Sequence, residues 1–143
     1  MAALGMYIFQ AKVLVAGRGE GSALVLTEPL SLWGGLDPDT GEIIDRRHPA
    51  SGINVRGRVL VLPAGRGSSS ASSILLEAVR QGTAPKAIIT VEPDGILALG
   101  AAVAREMYQK APPVLVLAPA DYGQLADGQW IRVEEDGSVR CGK

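Results

Sequence analysis

A chain of 143 residues is long enough for one ordinary hydrophobic core and short for two, so a single domain over 1–143 is expected, with its core at about 7–135. Hydrophobic residues at 47% and charged residues at 20% describe a soluble globular protein, and a net charge of −1 supplies no field to attract nucleic acid or an anionic membrane. The one cysteine, Cys141, excludes an internal disulfide and cannot alone hold an iron–sulfur cluster or a structural zinc.

Met1 to Phe9 lacks a basic start and is too short and interrupted for a signal peptide, and no apolar stretch approaches the roughly 18 residues of a membrane span; a cytoplasmic protein is expected. Tyr7 to Ala16 alternates, with Phe9, Ala11, Val13 and Val15 on one side and Gln10, Lys12 and Leu14 on the other, which predicts a half-buried strand. Gly17-Arg18-Gly19-Glu20-Gly21 predicts a turn into a second strand at Ala23–Leu26. A dinucleotide loop is not expected there, because the next residues are strand-like and offer no helix N-terminus.

Glu28 to Asn54 carries few periodic apolar residues and many turn formers, and a segment of that kind in a compact domain is often functional. It holds the only histidine, His48, beside Arg46 and Arg47 and close to Asp45. A lone histidine in such a place reads first as a structural hydrogen-bonder and second as a catalyst. Asp37-Pro38-Asp39-Thr40-Gly41 lacks the later bidentate acid of a calcium loop and predicts a β-turn; no metal site is expected in this chain.

The remainder alternates in the α/β manner. Val59–Leu62, Ala87–Val91 and Val114–Leu117 are continuous apolar runs, the pattern of strands covered on both faces. Helices are predicted at about 70–81 and 95–110, the second stopped by Pro112-Pro113. Asp136-Gly137 predicts a hairpin between Gln129–Val133 and Ser138–Cys141. The corner between the first apolar run and its helix reads Gly65-Arg66-Gly67-Ser68-Ser69-Ser70-Ala71-Ser72-Ser73. Two glycines let the backbone approach a ligand, and the free N–H groups of a helix start suit an anion. The competing reading is a serine N-cap after a flexible turn.

The run Pro29-Leu-Ser-Leu-Trp-Gly-Gly-Leu-Asp-Pro-Asp-Thr-Gly-Glu-Ile-Ile-Asp-Arg-Arg-His-Pro49, with Gly57-Arg-Val-Leu-Val-Leu-Pro63, Gly65-Arg-Gly-Ser-Ser69 and Gly82-Thr-Ala-Pro-Lys-Ala-Ile-Ile89 after it, resembles the swivel domain, or separate small subunit, of the aconitase X dehydratases. The resemblance implies a swivelling three-layer β/β/α domain that closes over a large subunit holding an iron–sulfur cluster. It also implies one of two family activities, dehydration of cis-3-hydroxy-L-proline or of 5-phosphomevalonate. Archaeal small subunits usually read Gly-Lys-Gly-Ser-Thr-Val-Gly-Ser at the central loop; Gly-Arg-Gly-Ser-Ser-Ser-Ala-Ser here is closer to the bacterial form and favours the amino-acid substrate.

By the same resemblance Ser68 is the catalytic base, acting as an alkoxide, with Ser69 as the adjacent alternative. Arg66, Gly67, Ser69, Arg47 and His48 are then the expected substrate-binding residues. Two other classes stand beside this reading. One is a phosphohistidine carrier, disfavoured because His48 lies in the wrong segment and no histidine follows Gly67. The other is a non-catalytic binding or assembly subunit.

Overall fold

The computed structural model describes residues 7–66 and 69–142. Among these, β1 (Tyr7–Gln10), β2 (Lys12–Val15), β3 (Gly19–Val25), β4 (Val59–Leu62), β5 (Ala87–Thr90), β6 (Val114–Val116), β7 (Trp130–Val133) and β8 (Ser138–Cys141) form one sheet in the order β1-β8-β7-β3-β4-β5-β6-β2. Helix α1 (Ala71–Gln81) connects β4 to β5, α2 (Gly95–Tyr108) connects β5 to β6, and a single turn, α3 (Pro119–Tyr122), precedes β7. No helix among the described residues is long and apolar enough to cross a membrane.

The apolar runs become the parallel strands β4, β5 and β6, with β3 parallel to β4. Their side chains alternate between two cores. Leu60, Leu62, Ile88 and Val114 face the helices, where they meet Leu75, Val79, Leu97 and Ala101. Val59, Val61, Ile89 and Leu115 face the other way and meet Ile131, Val133, Val139 and Cys141 of the antiparallel pair β7 and β8. Antiparallel strands, parallel strands and helices thus make the three layers of the expected β/β/α arrangement.

The sheet curls until its ends nearly meet. β1 and β2 lie at opposite ends of the strand order yet are separated in the chain by Ala11 alone, whose N–H donates to the Gly137 carbonyl at 3.0 Å. The expected single strand from Tyr7 to Ala16 is therefore two. A register shift between Val13 and Val15 accompanies the crossing: Phe9, Ala11 and Val13 pack on the inner core, while Val15 joins the helix side. A strand passing from one half of a curled sheet to the other cannot keep one facing set.

The predicted turn at Gly17–Gly21 is also corrected, since β3 begins at Gly19. Its first half pairs antiparallel with β7 and its second half parallel with β4. A β-carbon on Gly21 would stand 2.5 Å from the Gly57 carbonyl oxygen, so this glycine serves a close backbone approach inside a strand.

The segment from Glu28 to Asn54 is not apolar-poor in effect. Leu30, Leu32, Leu36 and Ile43 are all buried and complete the helix-side core. Isolated bridges Leu36↔Ile43 and Glu42↔Asn54 brace it. The turn at Asp37–Gly41 forms as expected, with the Gly41 N–H donating to the Asp37 carbonyl at 2.7 Å and the Asp39 N–H to Asp37 Oδ1 at 2.9 Å.

Candidate active site

The turns after β3 and β4 run side by side at the carboxyl ends of the parallel strands. Leu30 and Gly65 form a parallel bridge, and the Leu30 N–H donates to the Ala64 carbonyl at 3.3 Å. Loops at this end of a parallel sheet are where α/β proteins place their ligands. The starts of both long helices reach the same corner, where Ala71 and Ile96 border a small recess with Gly65, Arg66 and Asp94. Asp94 caps α2, its Oδ1 accepting from the Ile96 and Leu97 N–H groups at 3.0 Å each.

Beside this corner lies an open cleft of about 400 Å³ lined by Glu28, Trp33, Asp45, Arg47, His48 and Arg66, among others. Arg66 comes from the glycine-serine turn, and Arg47 and His48 from the long segment, so the fold brings together three of the residues singled out from sequence. The Arg47 and Arg66 side chains are exposed, and neither has a hydrogen bond or ion pair to a described residue. The Asp45 carboxylate holds the local turn, its Oδ1 accepting from the Arg47 N–H at 3.0 Å.

His48 is buried, and both ring nitrogens engage the backbone. Nδ1 accepts from the Ala50 N–H at 3.0 Å, which leaves Nε2 to donate to the Glu28 carbonyl at 3.2 Å. The ring thereby staples the Asp45–Ala50 turn to the chain leaving β3. This is the structural hydrogen-bonding role, carried out at the cleft wall.

Ser69 is exposed in the turn entering α1 and does not line the cleft. Its carbonyl accepts from the Ser72 N–H at 3.4 Å and from Ser72 Oγ at 2.9 Å. Ser70 occupies the N-cap position without a side-chain capping bond, so the capping role is not filled there. Gly67 and Ser68 lie outside the described residues.

Sequence reasoning passed over Trp33, Glu28 and Asp94. For Asp94 a signal existed, since Pro93-Asp94-Gly95 ahead of an apolar helical run is an N-cap pattern. Trp33 and Glu28 gave none, because residues in turns have no periodicity to betray their facing. A second recess of about 500 Å³ lies among Arg18, Glu20, Lys86, Arg132 and Glu134. Its charges are partly matched within it, with Arg132 3.6 Å from Glu20, which leaves less for a ligand to satisfy.

The profile of the aconitase X swivel domain matches residues 8–141. A cis-3-hydroxy-L-proline dehydratase of Pseudomonas aeruginosa is 46% identical over 124 residues, which are 87% of this chain and 21% of that protein, so the chain spans about a fifth of that relative's length. A phosphomevalonate dehydratase small subunit of Methanothermobacter thermautotrophicus is 39% identical over 90% of this chain and 95% of its own. The crystal structure of Thermococcus kodakaraensis aconitase X in its holo form matches with a TM-score of 0.85 at 32% identity, over 96% of this chain and 99% of that one. Profile, relatives and three-layer fold agree over nearly the whole sequence, and the chain belongs to the aconitase X swivel domain family.

Proposed function

We propose that this chain is the swivel part, a small subunit, of a cytoplasmic hydro-lyase that dehydrates a small hydroxy acid, that it works only with a large subunit, and that cis-3-hydroxy-L-proline is the substrate. The observation that carries this reading is the convergence of two guanidinium groups, from separate segments and without partners among the described residues, on a cleft beside the glycine-serine turn. Such a pair suits a carboxylate, which an arginine can grip through two parallel N–H bonds. The identity to the Pseudomonas aeruginosa dehydratase supports the choice of substrate.

The family implies an iron–sulfur cluster, and the donors of this chain do not fit one. Cys141 lies in β8 inside the inner core with no exposed surface, and burial pushes its thiol up to about 11, far from the thiolate a cluster requires. The described residues contain no group of three histidine, cysteine, aspartate or glutamate side chains placed to share a metal. The cluster in this proposal belongs to the large subunit.

The work left to this chain is to hold the carboxylate and to take a proton. Arg47 holds the carboxylate. Ser68, or Ser69 in its place, removes the proton from the carbon next to it; the bond from the neighbouring carbon to its hydroxyl oxygen breaks, a double bond forms between the two carbons, and the departing hydroxide takes up the proton that the serine accepted, so that water leaves and the alkoxide is restored. A serine hydroxyl is a very weak acid, so its anion needs help from the N–H groups at the start of α1 and from Arg66.

Dehydration of 5-phosphomevalonate is the second reading, favoured by the match over 95% of an archaeal small subunit. Mixing the purified chain with its large subunit and assaying both hydroxy acids decides between them. The expected result is no turnover by either chain alone and preferential turnover of cis-3-hydroxy-L-proline by the mixture. Activity of the isolated metal-free chain would overturn the proposal, and a large subunit equally active alone would leave this chain an assembly subunit.

A further inference from the structure

We infer that Trp33 makes the cleft selective for a zwitterionic amino acid over a purely anionic hydroxy acid, by presenting its indole face to the substrate's ring ammonium. The inference rests on the reading of this cleft as the substrate site. Its starting point is an exposed indole in a turn flanked by buried leucines. Trp33 is 58% exposed, whereas Leu30, Leu32 and Leu36 are at most 2% exposed.

The exposure is imposed by the local backbone. The Gly35 and Leu36 N–H groups donate to the Leu32 carbonyl at 3.2 and 3.0 Å, closing a turn whose two ends, Leu32 and Leu36, are fixed in the core. Gly34, at φ +76, makes the turn possible, and Ser31 Oγ donates to the Trp33 carbonyl at 3.3 Å. With its flanking leucines buried, residue 33 projects into the cleft, where an indole gains nothing from the core and loses water contact only when a ligand arrives.

The charges around it point to the ligand's character. Glu28 and Asp45 line the same cleft as Arg47 and Arg66, so these four groups sum to zero. A phosphorylated acid, with roughly three negative charges, would meet a cleft whose own charges cancel. A zwitterion finds cations for its carboxylate and, for its ammonium, two carboxylates and an aromatic face that attracts cations. A pyrrolidinium ring also offers flat C–H faces that an indole can cover.

The test uses Trp33→Leu and Trp33→Phe in the enzyme reconstituted with its large subunit. Trp33→Leu is expected to raise KM for cis-3-hydroxy-L-proline roughly three- to thirty-fold, the range of a partly to well desolvated cation–π contact. Little change in kcat is expected, and Trp33→Phe should recover part of the loss. Inhibition by tetrahydrofuran-2-carboxylate, which has a ring oxygen where proline has its ammonium, should be unaffected.

A second measurement needs no turnover. In the Trp130→Phe background, L-proline should change the fluorescence of Trp33 in the chain alone, and tetrahydrofuran-2-carboxylate at the same concentration should not. Equal effects of the substitution on both ligands, or lost subunit assembly with unchanged KM, would make Trp33 a packing or interface residue and overturn the inference. If the reconstituted enzyme fails to dehydrate cis-3-hydroxy-L-proline while the fluorescence still discriminates, the substrate assignment falls and the selectivity of the cleft stands. If it dehydrates the amino acid without any dependence on residue 33, the inference falls and the substrate assignment stands.

Discussion

The Oδ2 of Asp94 fills the space into which a β-carbon on Gly65 would project, while Oδ1 of the same carboxylate caps α2. One side chain therefore ties the turn after β4 to the first turn of the second helix, and the glycine-serine corner is held from behind. Gly65→Ala must displace either the cap or the turn, and is expected to cost about 1–3 kcal/mol as overpacking does. Asp94→Ala should cost about 0.5–2 kcal/mol as a lost N-cap. Because the first cost arises from the second residue, the double substitution should lose less than the sum of the two. Denaturant titration of the four proteins measures this, and strict additivity would show that the two residues are not coupled.

His48→Ala removes an acceptor from the Ala50 N–H and a donor from the Glu28 carbonyl in one step. A buried polar group left without a partner costs about 1–3 kcal/mol, so a clear fall in melting temperature is expected, with a rise in KM as the cleft wall loosens. An unchanged melting temperature with turnover reduced more than about 100-fold, the scale of a lost acid or base, would instead give His48 a direct chemical role.

The parallel strands were legible because burial on both faces leaves uninterrupted apolar runs, and Val59–Leu62 matches its prediction residue for residue. The first strand was misjudged because alternation reports a local facing and says nothing of a crossing between two halves of a curled sheet, so the break at Ala11 left no trace. Gly19 and Gly21 carried the wrong message for a related reason: glycine marks close approach as well as turns, and only the neighbouring Lys86 and Gly57 backbones reveal which. At the site, Arg47, His48 and Arg66 were named from motif resemblance and prove to share a cleft, whereas Trp33 was hidden in a turn.

Arg47→Lys and Arg66→Lys should leave stability untouched, since neither guanidinium has a partner among the described residues. Replacing a planar two-pronged donor by a point charge at Arg47 is expected to raise KM roughly tenfold with a smaller effect on kcat. Arg66→Lys keeps the cation beside the serine turn and should affect kcat less than Arg66→Ala. Unchanged KM and kcat in Arg47→Lys would identify Arg47 as a solvated charge beside a turn.

Burial raises the Cys141 thiol from its ordinary 9.0 to about 11. The folded chain thus holds this proton more tightly than the unfolded chain, and the resulting stabilisation is complete below pH 9 and lost as pH rises through about 11. Cys141→Ala should lack this contribution, so the stability difference between the two proteins should change between pH 9 and 11, with the natural chain falling faster. Thiol reagents at pH 8 should label Cys141 only after denaturant is added. Rapid labelling of the native chain would mean that β8 opens readily.

The final expectation concerns Ser68, the proposed base, which lies outside the described residues. The case for it begins with its neighbours. Ser70 makes no side-chain capping bond, and Ser69 serves the turn through its backbone carbonyl, which any residue would supply. An N-cap role for Ser68 predicts that Ser68→Ala lowers stability by about 0.5–2 kcal/mol and leaves turnover nearly intact. A base role predicts the opposite split. With folding and assembly retained, turnover in the reconstituted enzyme should fall roughly 100-fold or more, the loss typical of a removed and positioned proton acceptor. KM should barely move, because the carboxylate contacts proposed for Arg47 remain. Ser69→Ala is the control, since its carbonyl persists and only a hydroxyl is lost. If Ser69→Ala abolishes turnover while Ser68→Ala does not, the base is the second serine of the turn. If neither does, the proton acceptor belongs to the large subunit, and the glycine-serine corner holds substrate without reacting with it.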